Sequence, residues 1–341
     1  MRINKFDFKN NGIYIIAELS ANHNGSLQTA LDSIKAAKEI GANAIKLQTY
    51  TADTLTLNSH KEDFMIKGGT LWDGKSLYAL YKEAHTPWEW HKELFAYARQ
   101  LDIDIFSSPF DKSAVDFLEK FDPPAYKIAS FEITDYELVR YVASKGKPII
   151  ISTGVATLEE INDVVSLCRQ EGNNKIVLLK CTSAYPAPLE SANLVMIKDI
   201  AKRFGVVSGF SDHTLGITAP IAAVALGAKV IEKHFILDKS IGGADVEFSL
   251  DKEEFAQMIK AVRDTEKLLG IVDYTMDENK KQSRRFSRSL YIAKDIKKGD
   301  IFTDKNIRSV RPGYGMHPKY INDILGTTAT KSYEFGERFE G

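Results

Sequence analysis

The sequence predicts a closed (β/α)8 barrel followed by a small β-rich domain. Short apolar runs rich in β-forming residues alternate eight times with segments of helical period. The helical period then stops near Leu269, and the remaining residues show short strand patterns and turn glycines. Eightfold strand and helix alternation is what a (β/α)8 barrel requires.

The strand-like runs have clear limits in the sequence. They cover residues 13–20, 43–50, 103–110, 125–130, 148–154, 176–183, 206–213 and 229–236. Segments between them, such as SLQTALDSIKAAKEIG and TLEEINDVVSLCRQEG, place apolar residues three and four apart and end near a glycine. An open doubly wound sheet is the alternative, but such sheets usually carry GxGxxG after the first strand, where this chain reads ELSANHNG. The barrel is therefore favoured.

Three regions follow from these patterns. Residues 1–270 are predicted to form the barrel, 271–288 a basic linker and 289–341 the small domain. The long segment 51–86 interrupts the second strand and helix unit, and loops of this length are usually functional covers.

The composition argues against nucleic acid or membrane as a partner. The chain has 341 residues, with 45 basic and 46 acidic residues intermixed and a net charge of -1, so no basic face is expected. A small molecule is the expected partner. Two cysteines, the absence of a signal-like apolar segment in MRINKFDFKNNG and the absence of a long apolar run predict a cytoplasmic protein.

Polar residues concentrate at the carboxyl ends of the predicted strands, where barrel enzymes place their active sites. These residues are Glu18, Ser20, Lys46, Gln48, Ser107, Ser108, Lys127, Ser130, Glu132, Ser152, Thr153, Thr182, Ser183, Ser211, His213, Glu232 and His234. A single serine there is more often a turn or cap residue. The coincidence of lysines, histidines and carboxylates predicts a shared ligand, because each charge would otherwise be buried without a partner.

The residue types indicate the chemistry. Lys46 and Lys127, flanked by serine hydroxyls, suit a phosphate or a phosphate with a carboxylate. His213 and His234 fall on neighbouring strands and could bind one divalent metal, although acid-base or structural histidines are alternatives. Cys181 is expected to be a core residue, because no histidine lies next to it in the pattern.

Alternation along the eighth strand assigns its charged residues to two faces. Within VIEKHFIL, Glu232 and His234 share one face and are expected to point into the barrel. Lys233 is expected to point towards the helices.

Nine motifs, in this order, resemble the sialic acid synthase family. They are IIAELSANHNG, IKLQTY, FSSPFD, YKIAS with FE, STG, CTSAYP, GFSDHT, VIEKHF and VRPGYG. The resemblance implies a barrel followed by an antifreeze-like (SAF) domain, and a homodimer in which that domain covers the partner's barrel. It also implies condensation of phosphoenolpyruvate with an N-acetylated amino sugar, aided by a divalent cation such as Mn²⁺, Mg²⁺ or Co²⁺. Family products modify flagellin or surface polysaccharide.

The resemblance also implies roles for individual residues. Those implied to bind phosphoenolpyruvate are Lys46, Ser108, Lys127, Ser130, Ser152 and Ser211. His213 and His234 are implied to ligate the metal, and Glu18 to lie near the reacting carbons. Residues implied to line the site or border the sugar are Gln48, Phe110, Glu132, Tyr185 and Asp245, with Arg311 reaching the N-acetyl group from the other subunit.

Two departures from the usual family pattern bear on the sugar. Ser183 stands where CTNxYP has asparagine, and IGGADVEFSL replaces the usual run containing GPDH. Both lie near the sugar side and favour 2,4-diacetamido-2,4,6-trideoxy-L-altrose, with N-acetylmannosamine and the legionaminic acid precursor as alternatives.

Two other functions remain compatible with the residues. A Schiff-base aldolase on the same fold would use Lys127 or Lys180 as a nucleophile and need no metal. A non-catalytic barrel that binds a sugar phosphate is the second alternative.

Overall fold

The computed structural model describes residues 1–67 and 72–341, which divide into two units, Met1–Gly270 and Ile271–Gly341. Eight parallel strands of the first unit form a closed barrel in sequence order, with the last strand paired to the first. The strands are β1 (Tyr14–Glu18), β2 (Ala44–Thr49), β3 (Asp104–Pro109), β4 (Tyr126–Ile128), β5 (Ile149–Ser152), β6 (Ile176–Cys181), β7 (Val207–Asp212) and β8 (Val230–His234). Each lies inside one of the predicted runs, so the predicted barrel is confirmed.

Among the described residues, ten α-helices belong to the first unit and two to the second. They are α1 (Leu27–Glu39), α2 (Ala52–Leu55), α3 (Leu77–Ala84), α4 (His91–Gln100), α5 (Lys112–Glu119), α6 (Tyr136–Ser144), α7 (Leu158–Gln170), α8 (Met196–Phe204), α9 (Thr218–Ala225), α10 (Lys252–Leu269), α11 (Glu278–Arg284) and α12 (Ile321–Ile324). Across the described part of the chain, none of these helices has both the length and the apolar character needed to cross a bilayer.

Helix starts are set by side-chain caps close to the strand ends. Thr157 caps α7 and Asp251 caps α10, each with a glutamate three residues on that completes a capping box. Asp111 caps α5 only two residues after β3 ends. These caps satisfy the first backbone N–H groups of each helix, so short loops suffice between strand and helix.

An apolar floor closes the amino end of the barrel. A hairpin made of Arg2–Ile3 and Phe6–Asp7 inserts Ile3, Phe6 and Phe8 against inward-facing strand residues. These inward residues are Tyr14, Ile16, Ala44, Phe106, Ile150, Val177, Leu179 and Val230. Because this end is filled by side chains, a ligand site inside the barrel is confined to the opposite end.

The long segment between β2 and α4 carries its own local structure. It contains α2 and α3, and Met65 forms an isolated bridge with Ser76. The KGG motif falls partly outside the described residues, since 68–71 are not among them.

The second unit has a small apolar core around two antiparallel strands, β9 (Ser289–Ile292) and β10 (Ile307–Val310). Leu290, Phe302 and Phe339 belong to this core. The predicted linker contains α11, and the tail contains the four-residue α12 as well as strands. The single turn of α12 is too short to give a helical period in the sequence. The limits 271–288 for a linker stay a prediction.

A glycine in β7 allows close packing inside the barrel and generates a testable prediction. A Cβ on Gly209 would lie 2.4 Å from the carbonyl oxygen of Val230 and 2.7 Å from Cδ2 of Leu179. We expect Gly209→Ala to lower the free energy of unfolding by about 1 to 3 kcal/mol through overpacking. Urea unfolding followed by circular dichroism measures the loss, and an unchanged midpoint would contradict the steric argument.

Candidate active site

Two ammonium groups and two carboxylates meet at the carboxyl end of the barrel. Nζ of Lys46 lies 2.9 Å from Oε2 of Glu18 and 3.5 Å from Oε2 of Glu232. Nζ of Lys127 lies 2.7 Å from Oε1 of Glu232. All four residues are at most 4% exposed, so each charge depends on these partners for its stability. We call these four side chains the charge network.

Burial and opposite charges act against each other within the charge network. Burial raises the pKa of Glu232, but Lys127 and Lys46 outweigh this effect and hold it below its ordinary value. Burial lowers the pKa of Lys127, and Glu232 opposes the shift. Burial also acts against the charge on Lys46, yet Glu18 and Glu232 raise its pKa above the usual value. The two positive and two negative charges therefore balance in a nearly dry environment.

Strand register produces this meeting of charges. Glu18 of β1 stands opposite Lys46 of β2 on one side and opposite His234 of β8 on the other. Glu232 of β8 stands opposite Ser211 of β7. Because alternate residues face inwards, each of these side chains enters the same end of the barrel.

Two serine hydroxyls contact the charge network, and two others are buried without a partner in the described part of the chain. The Ser211 hydroxyl donates to Oε1 of Glu232 at 3.0 Å, and Nζ of Lys46 lies 3.5 Å from the Ser108 hydroxyl. Ser152 and Ser183 each bury a hydroxyl oxygen that has no hydrogen-bond partner within residues 1–67 and 72–341. Buried hydroxyls usually have partners, so these two are available to a ligand.

Gly154 lets the serines approach one another. Its N–H donates to the Ser130 hydroxyl at 3.2 Å. A Cβ at this position would lie 2.3 Å from Oγ of Ser183 and 2.8 Å from Oγ of Ser130. The glycine therefore preserves a concave, donor-rich surface beside the lysines.

His213 and His234 lie side by side, with ring centroids 5.3 Å apart. Nδ1 of His213 is 3.0 Å from the carbonyl oxygen of Thr182, which leaves Nε2 of that ring for another partner. Nδ1 of His234 is buried, lies 3.6 Å from Oδ2 of Asp245 and has no hydrogen-bond partner among the described residues.

This donor set fits a divalent cation that keeps some of its ligands as water or substrate. Two imidazoles with a carboxylate beside them supply nitrogen and oxygen donors, which Mn²⁺ and related ions accept. A complete protein cage is not present: within the described ranges no group of three or more histidine, cysteine, aspartate and glutamate side chains is arranged to hold a metal.

Cys181 and Phe248 are close to the histidines, which the sequence did not indicate. Cys181 is buried, as expected, but its Sγ is also 3.8 Å from Nδ1 of His213. Burial raises the pKa of Cys181, but the hydrogen bond with His213 outweighs it and brings the value to about 7. Pairing of β6 with β7 creates this contact across 32 positions of sequence, which no local pattern reveals.

An aromatic wall adjoins the imidazole pair. The Tyr185 ring centroid lies 4.4 Å from that of His213, and the Phe248 centroid lies 4.8 Å from that of His234. Tyr185 and Phe248 also contact each other at 5.2 Å. In the sequence, the apolar residues at the end of IGGADVEFSL indicate that Phe248 could be buried near the site.

A cavity of about 430 Å³ opens beside the histidines. Six predicted site residues line it, namely Gln48, Phe110, Glu132, Tyr185, His234 and Asp245. Most of the remaining wall is apolar and comes largely from the long segment before α4, through Tyr50, Leu55, Ile66, Leu77, Leu80 and Tyr81. The cavity therefore joins an apolar surface to a polar end that includes Gln48, Glu132, His234 and Asp245.

Two polar residues of the cavity have defined environments. Nε2 of Gln48 donates to Oε1 of Glu18 and to the Ser20 hydroxyl, both at 2.9 Å. Burial raises the pKa of Glu132 to about 7, and its Oε2 is buried with no hydrogen-bond partner in the described part of the chain. Glu132 is thus a candidate hydrogen-bond donor near neutral pH.

Two further predicted features can be placed. Lys233 points towards the helix layer, as expected from alternation, and Glu232 points inwards. Arg311 lies in the second unit, where it is exposed and follows β10, and its contact with a sugar stays a prediction.

A family model described as the NeuB family matches residues 33–274. This chain belongs to the NeuB family. A second model, the SAF domain, matches residues 287–337 in the second unit.

Relatives within the NeuB family are similar along nearly the whole chain. A pseudaminic acid synthase from Campylobacter jejuni is 55% identical over 325 residues, which cover 95% of this chain and 94% of the relative. An N,N'-diacetyllegionaminic acid synthase from Legionella pneumophila is 37% identical over 328 residues, covering 95% and 92%. A crystal structure of an N-acetylneuraminic acid synthetase from Leptospira borgpetersenii aligns with a TM-score of 0.72 and 31% identity, covering 80% of this chain and 90% of that one.

The buried carboxyl of Glu132 leads to a prediction about stability and pH. Its ordinary pKa of 4.5 is raised to about 7 in the folded protein, so between these values the folded state holds more protons than the unfolded state. The free energy of unfolding should therefore fall as pH rises from about 4.5 to about 7, by up to about 3 kcal/mol from this group.

Glu132→Gln tests this assignment, because glutamine has a similar shape and does not ionise. Urea unfolding at several pH values should show a flatter pH dependence than in the unmodified protein. Glu190→Gln, at an exposed position, is the control and should leave the profile unchanged. Identical profiles for the unmodified protein and Glu132→Gln would refute the raised pKa.

Proposed function

We propose that this protein is a pseudaminic acid synthase. In this reaction phosphoenolpyruvate condenses with 2,4-diacetamido-2,4,6-trideoxy-L-altrose and water to give pseudaminic acid and phosphate. The observation that best supports the proposal is that three features lie at the same end of the barrel. These are the charge network with its serine hydroxyls, the imidazole pair and the cavity of about 430 Å³.

Lys46 and Lys127 would bind the phosphate group. Their ammonium groups already lie in one network through Glu232, so an anion that enters contacts preorganised charges. The partnerless hydroxyls of Ser152 and Ser183 offer hydrogen bonds to the phosphate or carboxylate. Ser108, Ser130 and Ser211 complete the binding surface.

His213 and His234 would hold a divalent cation. Such a cation, when bound, would supply Lewis acidity to the aldehyde oxygen of the open-chain sugar and lower the pKa of water. The chain's own part is to orient the two rings: the carbonyl of Thr182 would hold the His213 ring, and the carboxylate of Asp245 lies 3.6 Å from Nδ1 of His234. The metal used in the cell is proposed to be Mn²⁺, Mg²⁺ or Co²⁺.

Glu18 would stabilise positive charge on the substrate. Attack by carbon 3 of phosphoenolpyruvate on the aldehyde leaves a cationic centre at carbon 2. Oε1 and Oε2 of Glu18 are held by Gln48 and Lys46, which fixes the carboxylate at the carboxyl end of β1. Addition of water at carbon 2 then gives an adduct that expels phosphate by carbon-oxygen cleavage, with the lysines stabilising the departing charge.

The apolar cavity wall favours a deoxy sugar over a more hydroxylated one. Leu77, Leu80 and Tyr81 of α3 contribute to this wall. A methyl group would be buried against it, whereas a hydroxyl there would lose hydrogen bonds to water. This supports the altrose-type sugar over N-acetylmannosamine. The legionaminic acid precursor is also a trideoxy sugar, and the higher identity to the pseudaminic acid synthase supports the altrose-type choice.

The Schiff-base alternative is less compatible with the lysine environments. Nζ of Lys127 is paired at 2.7 Å with Glu232, which favours the charged, non-nucleophilic form. Nζ of Lys180 donates to the carbonyl oxygen of Cys181 at 2.6 Å and lies 3.4 Å from the Thr182 hydroxyl.

The proposal extends to assembly and location. A homodimer in which the SAF domain covers the partner's barrel would let Arg311 reach the N-acetyl group of the sugar. A cytoplasmic location agrees with small phosphorylated substrates, and flagellin or surface polysaccharide is the proposed destination of the product.

One assay tests the reaction itself. Purified protein with Mn²⁺, phosphoenolpyruvate and the altrose-type sugar should release phosphate and form a nine-carbon 2-keto acid detectable by mass spectrometry. With ¹⁸O in the bridging oxygen of phosphoenolpyruvate, carbon-oxygen cleavage should place the label in phosphate.

N-acetylmannosamine and the legionaminic acid precursor serve as comparison substrates and should react more slowly. A faster reaction with either would overturn the sugar assignment. Label retained in the sugar acid would overturn the cleavage mode. A covalent pyruvate adduct trapped by borohydride would favour the aldolase, and no turnover with any sugar would favour a binding protein.

Removal of one lysine should affect phosphoenolpyruvate more than the sugar. Charge-assisted hydrogen bonds contribute about 1.5 to 3 kcal/mol, so Lys127→Ala should raise the KM for phosphoenolpyruvate roughly 10- to 150-fold. Steady-state kinetics with each substrate varied in turn measures the change. Lys112→Ala, an exposed lysine on α5, is the control. An unchanged KM in Lys127→Ala would remove this lysine from the phosphate site.

A further inference from the structure

A second charged pair lies behind the histidines and has no role in the reaction described above. Nζ of Lys233 is 2.5 Å from Oδ2 of Asp212, and both side chains are 0% exposed. Nζ of Lys233 also donates to the carbonyl oxygen of Thr214 at 2.6 Å. The backbone N–H of Thr214 donates to Oδ1 of Asp212 at 2.8 Å. These three residues form a closed set of contacts around His213.

The set connects the two histidines through their chain neighbours. Asp212 directly precedes His213 and Thr214 directly follows it, while Lys233 directly precedes His234. Asp212 and Lys233 also stand opposite each other in the β7 and β8 register. Since alternate residues face opposite sides of a strand, the ion pair lies on the helix side. The residues that follow, His213 and His234, therefore face the inside of the barrel, where the site lies.

Stability alone does not account for a pair of this kind. Removing two charges from water is costly, and replacing a buried ion pair by apolar residues of similar volume is often neutral or stabilising. Unlike an apolar contact, a directional hydrogen-bonded contact fixes the relative position of two backbones to within a hydrogen-bond length. The position that is fixed here is that of the two imidazoles.

We infer that the ion pair between Asp212 and Lys233, with Thr214, is a positioning device that sets the spacing of His213 and His234 for cation binding. The inference rests on the proposed function, because it assumes that these histidines hold a divalent cation. Neither Asp212 nor Lys233 touches substrate in this arrangement. They act through the histidines that follow them.

The test replaces both charges together, so that neither is left buried alone. Asp212→Leu combined with Lys233→Met keeps similar volume, but the buried N–H and carbonyl of Thr214 lose their partners, so the unfolding temperature should fall while the protein stays folded at about 25 °C. Its affinity for Mn²⁺ should fall about 10- to 100-fold, the usual effect of losing partners behind metal ligands. Titration with Mn²⁺ followed by electron paramagnetic resonance measures this affinity, with the metal alone and again with phosphoenolpyruvate but no sugar.

Two controls separate the possible failures. His234→Ala should abolish the Mn²⁺ binding seen in the unmodified protein. Tyr14→Phe removes a buried hydrogen bond of 2.7 Å to Asp104 at the other end of the barrel and should leave Mn²⁺ affinity unchanged. A loss in the double variant but not in Tyr14→Phe therefore supports positioning over a general effect of disturbing the core.

Each other result counts against the inference. Mn²⁺ affinity in the double variant equal to that of the unmodified protein overturns positioning and leaves the proposed function intact. Binding that does not depend on His234 overturns the cation assignment and the inference with it. If the double variant does not fold, Asp212→Asn serves in its place, because it keeps the side-chain shape and removes the charge. It should weaken Mn²⁺ binding about tenfold, and an affinity within about twofold of the unmodified protein would overturn positioning.

Discussion

Buried opposite charges at the carboxyl end of the barrel impose the central constraint on this protein. Two lysines and two glutamates lie there with at most 4% exposure, and each has a partner of opposite charge type within 3.5 Å, which offsets the cost of burial. The partners come from β1, β2, β4 and β8, which are scattered along the sequence. Closure of the barrel between β8 and β1 is what brings them together, so fold and site depend on one another.

The two ends of the barrel have different roles, since the amino end stabilises the fold and the carboxyl end forms the candidate site. At the amino end, Phe6 and Phe8 of the hairpin complete an apolar core that has no place for a ligand. At the carboxyl end, polar side chains replace this packing and rely on one another. Such a surface is preorganised: its dipoles and charges are already oriented before a phosphate arrives, and little rearrangement is needed on binding.

Alternate side chains of β7 and β8 connect the candidate site inside the barrel with the helices outside it. On one face, Ser211 donates a hydrogen bond to Glu232, which belongs to the charge network. On the opposite face, Asp212 and Lys233 pair among the helices. The same two strands therefore carry polar contacts on both faces, and the second set of contacts constrains the first. This explains why VIEKHFIL, although a buried strand, contains three residues with ionisable side chains.

Periodicity and strand-end chemistry in the sequence were sufficient to determine the barrel, its eight strands and the inward direction of residues such as Lys46 and Glu232. These features depend on local alternation, which a sequence displays directly. Only the tertiary structure decided that Glu232 links Lys46 to Lys127, that Cys181 contacts His213 and that Leu77 and Leu80 line the cavity. These contacts depend on which strands become neighbours and on how loops fold over the barrel. Both are set by the sum of many long-range packing energies, which no single stretch of sequence contains.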